Sequence, residues 1–180
     1  MRSILIGLIC TIETVTTWAG WLAAATTVPL ALFMVYEVVA RYAFNAPTFW
    51  AYELAYMLMG AGLMLGIAYT MQMRAHVRVD FAYASMSPRG RAFIDILGYL
   101  IVLPMVLWLC MGLWEYLLRA YVGGERSGES AWNPVVWPFR VTFVAGFVLF
   151  AAQTVAEILK SGAILVIGHA LIAESAEEHA

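Results

Sequence analysis

Five carboxylates are the groups in this sequence with most scope for chemistry: Glu13, Glu37, Glu53, Glu115 and Glu157 each border a long uncharged run. A carboxylate deep in hydrocarbon usually marks a proton or ion pathway. The run lengths place each of these near a helix end, where pairing or contact with headgroups is the simpler role. Glu37 and Arg41 stand four apart, the spacing of an ion pair on one helix face. The absence of a midplane carboxylate weakens an independent pump. What survives of that idea is a self-sufficient, dimeric four-helix secondary transporter with Glu13 or Glu37 as coupling group.

Other reactive types are sparse. His76, Arg78 and Asp80 alternate with Val77, Val79 and Phe81, offering one histidine and one carboxylate where a metal needs about three or four convergent ligands. The alternation fits a segment lying along the cytoplasmic interface. His169 and His179 fall in the tail, so no histidine pair faces inward to hold haem. Cys10 and Cys110 lie far apart in apolar runs and read as buried structural thiols. No catalytic residue, cofactor site or metal site emerges, and an enzyme or electron carrier is disfavoured.

The elements that must carry these residues are set by the solvent. Of 180 residues, 63% are hydrophobic and 12% charged, against about 25% charged in soluble domains. Such a chain expects lipid. The net charge of −2 and the lack of a basic patch argue against nucleic acid. Uncharged runs of 23 residues from Thr14, 20 from Leu54, 19 from Ile96 and 16 from Val141 compare with about 20 needed to cross about 30 Å of hydrocarbon. The expectation is an all-α integral membrane bundle, one domain of four transmembrane helices near 14–40, 49–73, 92–118 and 137–160. Loops would cover 74–91 and 119–136, with a tail at 161–180. Residues 163–173 would extend helix four or lie in the interface. Met1 to Cys10 mimics a signal peptide, but the apolar run resumes without a cleavage site. A retained membrane-surface turn before helix one is expected instead.

Breakers agree with the spans. Asn45-Ala46-Pro47 signals a turn, Ser87-Pro88 an N-cap with proline behind it, and Gly123-Gly124 a stop. Pro29 and Pro104 are expected kink points. Arg2, Arg74, Arg78, Arg89, Arg91 and Lys160 fall on one side, and Arg41, Arg119, Arg126 and Arg140 on the other. Six positive residues against four favour cytoplasmic termini. Gly62-x-x-x-Gly66, with Gly60 nearby, permits close helix approach, either to a partner or within the chain's own bundle.

The loops carry a resemblance. Arg41-Tyr42-Ala43-Phe44-Asn45-Ala46-Pro47-Thr48-Phe49-Trp50 with Glu53-Leu54, then Ala75 to Asp80, Arg91 with Asp95, and Trp132-Asn133-Pro134 with Trp137-Pro138 and Arg140 are the carriers. Together they resemble the small, DctQ-like membrane subunit of tripartite ATP-independent periplasmic (TRAP) transporters. Tyr52, Tyr56 and Arg74 stand where many relatives have an acid, an arginine and a glycine. The resemblance implies a multi-pass protein of the bacterial inner membrane that binds no substrate itself. It implies a large permease subunit with substrate and sodium sites that moves elevator-fashion. It also implies a periplasmic binding protein delivering a carboxylate-bearing molecule, with this chain as fixed scaffold among membrane lipid. On that basis Arg41, Asn45, Pro47, Trp50, Glu53, Gly60, Gly62 and Gly66 are expected at the permease interface. His76, Arg78 and Asp80 are expected along the cytoplasmic surface. Trp132, Asn133 and Trp137 are expected to meet the binding protein.

Overall fold

The computed structural model describes residues 2–73 and 86–167. Four helices account for nearly all of them: α1 (Arg2–Ala43), α2 (Ala51–Gln72), α3 (Pro88–Gly123) and α4 (Trp137–Ile167). All four are long and apolar enough to cross a membrane. Among the described residues the β-structure is a single isolated bridge between Arg126 and Val135. The integral membrane all-α bundle expected from composition is what the chain forms.

Helix ends follow local chemistry. The Ser87 hydroxyl accepts from the Gly90 N–H at 3.2 Å, capping α3 with proline behind it. At the far end Gly124 takes φ +58°, a left-handed conformation that glycine adopts without strain, and α3 stops. Asn45 plays the same part after α1 with φ +50°, and Pro47 follows it.

Two expectations are corrected. Residues 2–10, expected as a surface turn, are helical, because α1 is continuous from Arg2. Nothing in residues 2–13 breaks a helix. Thr11 and Thr14 return their hydroxyls to the Gly7 and Cys10 carbonyls at 2.8 and 2.7 Å, so even the polar side chains there satisfy themselves on the helix. The carboxylates are also not all at helix ends. Glu13 and Glu157 lie well inside α1 and α4 because both helices run straight through their charges. Of the two fates left open for the segment after Lys160, the helical one holds to Ile167. Pro29 and Pro104 both sit inside continuous helices.

The helices pack side by side in the order α1, α2, α4, α3, with a smaller contact between α1 and α4. In this order α1 and α3 form the edges, and α1, α2 and α4 also touch one another. At 42 and 36 residues these edge helices would measure about 63 and 54 Å. They are longer than a perpendicular crossing requires, so they tilt or protrude. Their outer faces carry exposed Trp18, Trp21, Leu32, Leu100, Met105 and Trp108, an arrangement that only lipid or another protein can solvate.

Two devices hold the layer together. One is close approach at glycine. A side chain at Gly62 would come within 2.5 Å of the Thr26 hydroxyl oxygen, one at Gly60 within 2.8 Å of the Phe139 ring, and one at Gly20 within 2.5 Å of the Tyr69 ring. Gly146 is tighter, since α4 there lies directly on the Met64 backbone of α2. The second device is polar. Lys160 of α4 donates to Glu13 of α1 at 2.7 Å and also pairs with Glu157. Gln153 donates to Glu157 at 3.2 Å and accepts from Thr16 of α1 at 3.3 Å. Thr17 and Gln72 join α1 to α2 in the same tier, at 3.1 Å.

Gly146→Ala places a methyl against the Met64 carbonyl, which cannot rotate away, and should cost about 1–3 kcal/mol by overpacking. Gly66→Ala meets only the Ala23 methyl at 3.7 Å and should be neutral. Unfolding midpoints in detergent separate the two. Lys160→Met leaves the Glu13 and Glu157 carboxylates facing each other and should destabilise by about 3–5 kcal/mol, whereas combining it with Glu13→Leu and Glu157→Leu should restore most of the loss.

Candidate functional site

The antiparallel layer brings the 44–50 and 124–136 connections to one end, and most of the residues singled out from the sequence gather there. Glu37, nearly two turns before α1 ends, organises the first connection. One carboxylate oxygen accepts from Arg41 Nε at 2.9 Å; the other accepts from the Thr48 N–H at 2.9 Å and from its hydroxyl. The expected Glu37–Arg41 pair is therefore formed, and it has a further role that spacing did not reveal. A single buried carboxylate ties the end of α1 to the chain that starts α2.

Trp50 completes the turn. Its ring packs edge-on to Phe33 at 5.6 Å and stacks on Tyr36 at 6.0 Å between centroids. Trp50 occupies the N-cap position of α2 without capping it through its side chain; its role there is packing. Asn45 and Pro47 are exposed and shape the turn, and beside them Tyr42, Phe44 and Phe49 project outward.

Glu53, in the first turn of α2, is fully buried and accepts from the Ser127 hydroxyl at 2.8 and 2.9 Å. That bond docks the second connection on the first. The 124–136 segment is itself folded back. Ser127 donates its N–H to Pro134 and Val136 donates to Glu125, at 3.0 and 3.1 Å. The Asn133 side chain accepts from the Gly128 N–H at 2.9 Å, and its carbonyl accepts from Arg126 at 3.0 Å. Asn133 therefore maintains the loop and presents little to a visitor. Trp137 packs edge-on to Tyr121, which leaves Trp132 as the more exposed of the two tryptophans singled out from this loop.

Beneath this loop lies Arg140, only 6% exposed. It grips Glu125 through two bonds of 2.8 and 2.6 Å, donates to the Tyr116 carbonyl at 3.0 Å, and sits 3.4 Å from the centre of the Tyr116 ring. A buried guanidinium with a bidentate carboxylate and a facing ring is fully compensated. It joins α3, the loop and α4.

The structure thus gathers Arg41, Asn45, Pro47, Trp50, Glu53, Trp132, Asn133 and Trp137 at one end. It separates Gly60, Gly62 and Gly66 from them: these glycines face Phe139, Thr26 and Ala23 of the same chain. Packing within the bundle is the second role their spacing allowed. His76, Arg78 and Asp80 lie outside the described residues. Sequence reasoning missed Ser127, Glu125 and the inward role of Arg140. The only signal available was an arginine placed inside an aromatic run, Trp137 to Phe143.

A family model for the DctQ component of tripartite ATP-independent periplasmic transporters matches residues 30–162. The chain belongs to the DctQ family. The matched stretch begins in α1 after Glu13, Thr16 and Thr17, includes both connections at the shared end and the α4 members of the polar tier, Gln153, Glu157 and Lys160, and stops within α4. No curated protein and no solved structure matches the chain. As a DctQ component it is a multi-pass membrane protein and a part of a transporter.

Ser127→Ala would leave the buried Glu53 carboxylate without its donor. The expected loss is about 1–3 kcal/mol, read as a lower unfolding midpoint in detergent with helical circular dichroism unchanged below it.

Proposed function

We propose that this DctQ component is the fixed scaffold of a bacterial inner-membrane uptake system. It braces a large elevator-type permease subunit that imports a carboxylate-bearing small molecule with sodium. A periplasmic binding protein delivers that molecule, and both termini of the scaffold lie in the cytoplasm. One observation carries this reading: the buried ionisable groups are engaged in holding helices and loops in place. Glu37 secures the first turn, Glu53 the second connection, Arg140 the α3–loop–α4 junction, and Lys160 with Glu13 and Glu157 the α1–α4 contact. A transporter acting alone needs a charge that exchanges partners along a path. Glu13 and Glu37, the coupling candidates of the rival reading, are both engaged in such contacts.

The turn ending α1 is the better candidate for the permease contact, since the glycines are used internally. Glu37, Arg41 and Thr48 fix its backbone, and Tyr42, Phe44 and Phe49 stand out from it, 83%, 74% and 60% exposed. Rigid aromatic side chains on a pre-organised turn are favoured anchors for a partner. Trp132 on the neighbouring loop is the residue of this end offered to the binding protein.

Phe44→Ser with Phe49→Ser should abolish co-purification of the permease subunit while leaving the unfolding midpoint of the isolated chain within about 0.5 kcal/mol of wild type, as surface changes do. Proteoliposome uptake should require this chain, the permease and the binding protein together. Uptake by this chain alone would replace the scaffold reading with the dimeric transporter.

A further inference from the structure

α2 and α3 each pack along α4 and barely touch one another. A cleft therefore remains between them, closed above by the 124–136 loop. It is a cavity of about 320 Å³ with Tyr56 of α2 and Tyr116 of α3 as walls, and Phe139 and Phe143 of α4 at its base. Phe139 and Phe143 lie two and six residues after Trp137, where α4 begins. They stand about 3 and 9 Å along the helix axis. With Trp137 and Tyr121 paired at the helix ends, as aromatic residues at a membrane–water boundary are, the cleft sits where headgroups give way to acyl chains.

Its roof carries charges of both signs. Glu125 and Arg140 neutralise each other. Glu129 and Arg126 differ: both line the cavity, and both are exposed on the loop. Among the described residues the Glu129 carboxylate has no hydrogen-bond or ion-pair partner, and Arg126 uses one guanidinium nitrogen, on the Asn133 carbonyl. An open carboxylate and a partly open guanidinium thus face one cavity above an aromatic base.

We propose that this cleft binds an aminophospholipid such as phosphatidylethanolamine. The ammonium would meet Glu129, the phosphate would meet Arg126, and the glycerol and first methylenes would lie against Phe139 and Phe143. An anionic lipid supplies the phosphate but leaves Glu129 facing a like charge. A choline headgroup keeps the positive charge but has no N–H to donate to the carboxylate. The zwitterion with a primary ammonium complements both groups, and each charge-assisted bond adds specificity. The proposal stands apart from the scaffold reading, since it concerns lipid and neither partner protein.

Native mass spectrometry of the full chain, released from detergent with added phosphatidylethanolamine, phosphatidylglycerol or phosphatidylcholine of one chain length, tests it. The expected result is one retained ethanolamine lipid, bound roughly tenfold more tightly than the other two. Glu129→Gln and Arg126→Gln should each erase most of that preference. Both residues are exposed loop positions, and unchanged thermal midpoints would exclude misfolding as the cause. Equal retention of the three lipids, or wild-type preference in both variants, would overturn the proposal. In membranes holding the whole transporter, carbodiimide activation should join Glu129 to the lipid amine as an amide. A cross-link from Glu129 to a lysine of the permease instead would assign the cleft to the partner and refute the lipid.

Discussion

Hydrocarbon gives apolar helices no reason to prefer each other over lipid, and every other feature of this chain follows from that constraint. The outer faces of α1 and α3 are as apolar as their inner ones, so hydrophobicity cannot choose which face turns inward. The choice is made by a few atoms. Backbone contacts at Gly62 and Gly146 supply dispersion that larger residues would prevent, and the Glu13–Lys160–Glu157–Gln153–Thr16 chain of contacts supplies direction. A hydrogen bond between membrane helices contributes on average only about 0.6 kcal/mol. The ionic members matter more for register than for strength, because any slip of α4 along α1 would strand charge in lipid.

The two devices divide the work by depth. Trp137 and Lys160 are separated by 23 positions on α4, or about 35 Å. Arg140 with Glu125 and Lys160 with Glu13 therefore sit near opposite boundaries of the hydrocarbon. Between them the described contacts are glycine and aromatic packing, including the Tyr56–Phe139–Phe143 series, with the uncharged Thr16–Gln153 and Thr154–Met71 bonds toward the Lys160 side. Among the described residues these ion pairs lie at the rims, where the cost of burying ions is lowest.

The helices were legible in the sequence, and the packing was not. Length, uncharged runs, Ser87-Pro88 and Gly124 identified the four elements, with every boundary except the start of α1 within seven residues of the one observed, because the bilayer imposes one length scale and turn chemistry is local. The start of α1 was misread because a charge was taken as a boundary. Glu13 is tolerated inside a helix only because Lys160, 147 positions away, comes to meet it, and single-sequence spacing cannot see that. The same limit hid Ser127 as the partner of Glu53, 74 positions apart. Glu37–Arg41 was visible because it is local. Its third partner, Thr48, was eleven positions on and invisible. For the glycines the sequence showed that some helix comes close and could not show whose.

The order α1, α2, α4, α3 has a mechanical consequence. A compact four-helix bundle surrounds one core, and each helix touches two neighbours. Here α3 leans almost wholly on α4, so a lateral load on α3 passes through one contact line and two anchors, the Arg140–Glu125–Tyr116 junction and the loop that Ser127 ties to Glu53. Those anchors lie at the end of the layer that also carries the exposed aromatic turn. Force entering at Tyr42, Phe44 or Phe49 reaches α1 through Glu37 and α2 through Trp50. It continues through Glu53 into the loop, and from there through Arg140 into α3 and α4. All four helices are thus braced from one rim by short contacts between buried polar groups. The proposed scaffold role calls for that distribution, and a bundle held only by a central apolar core would lack it.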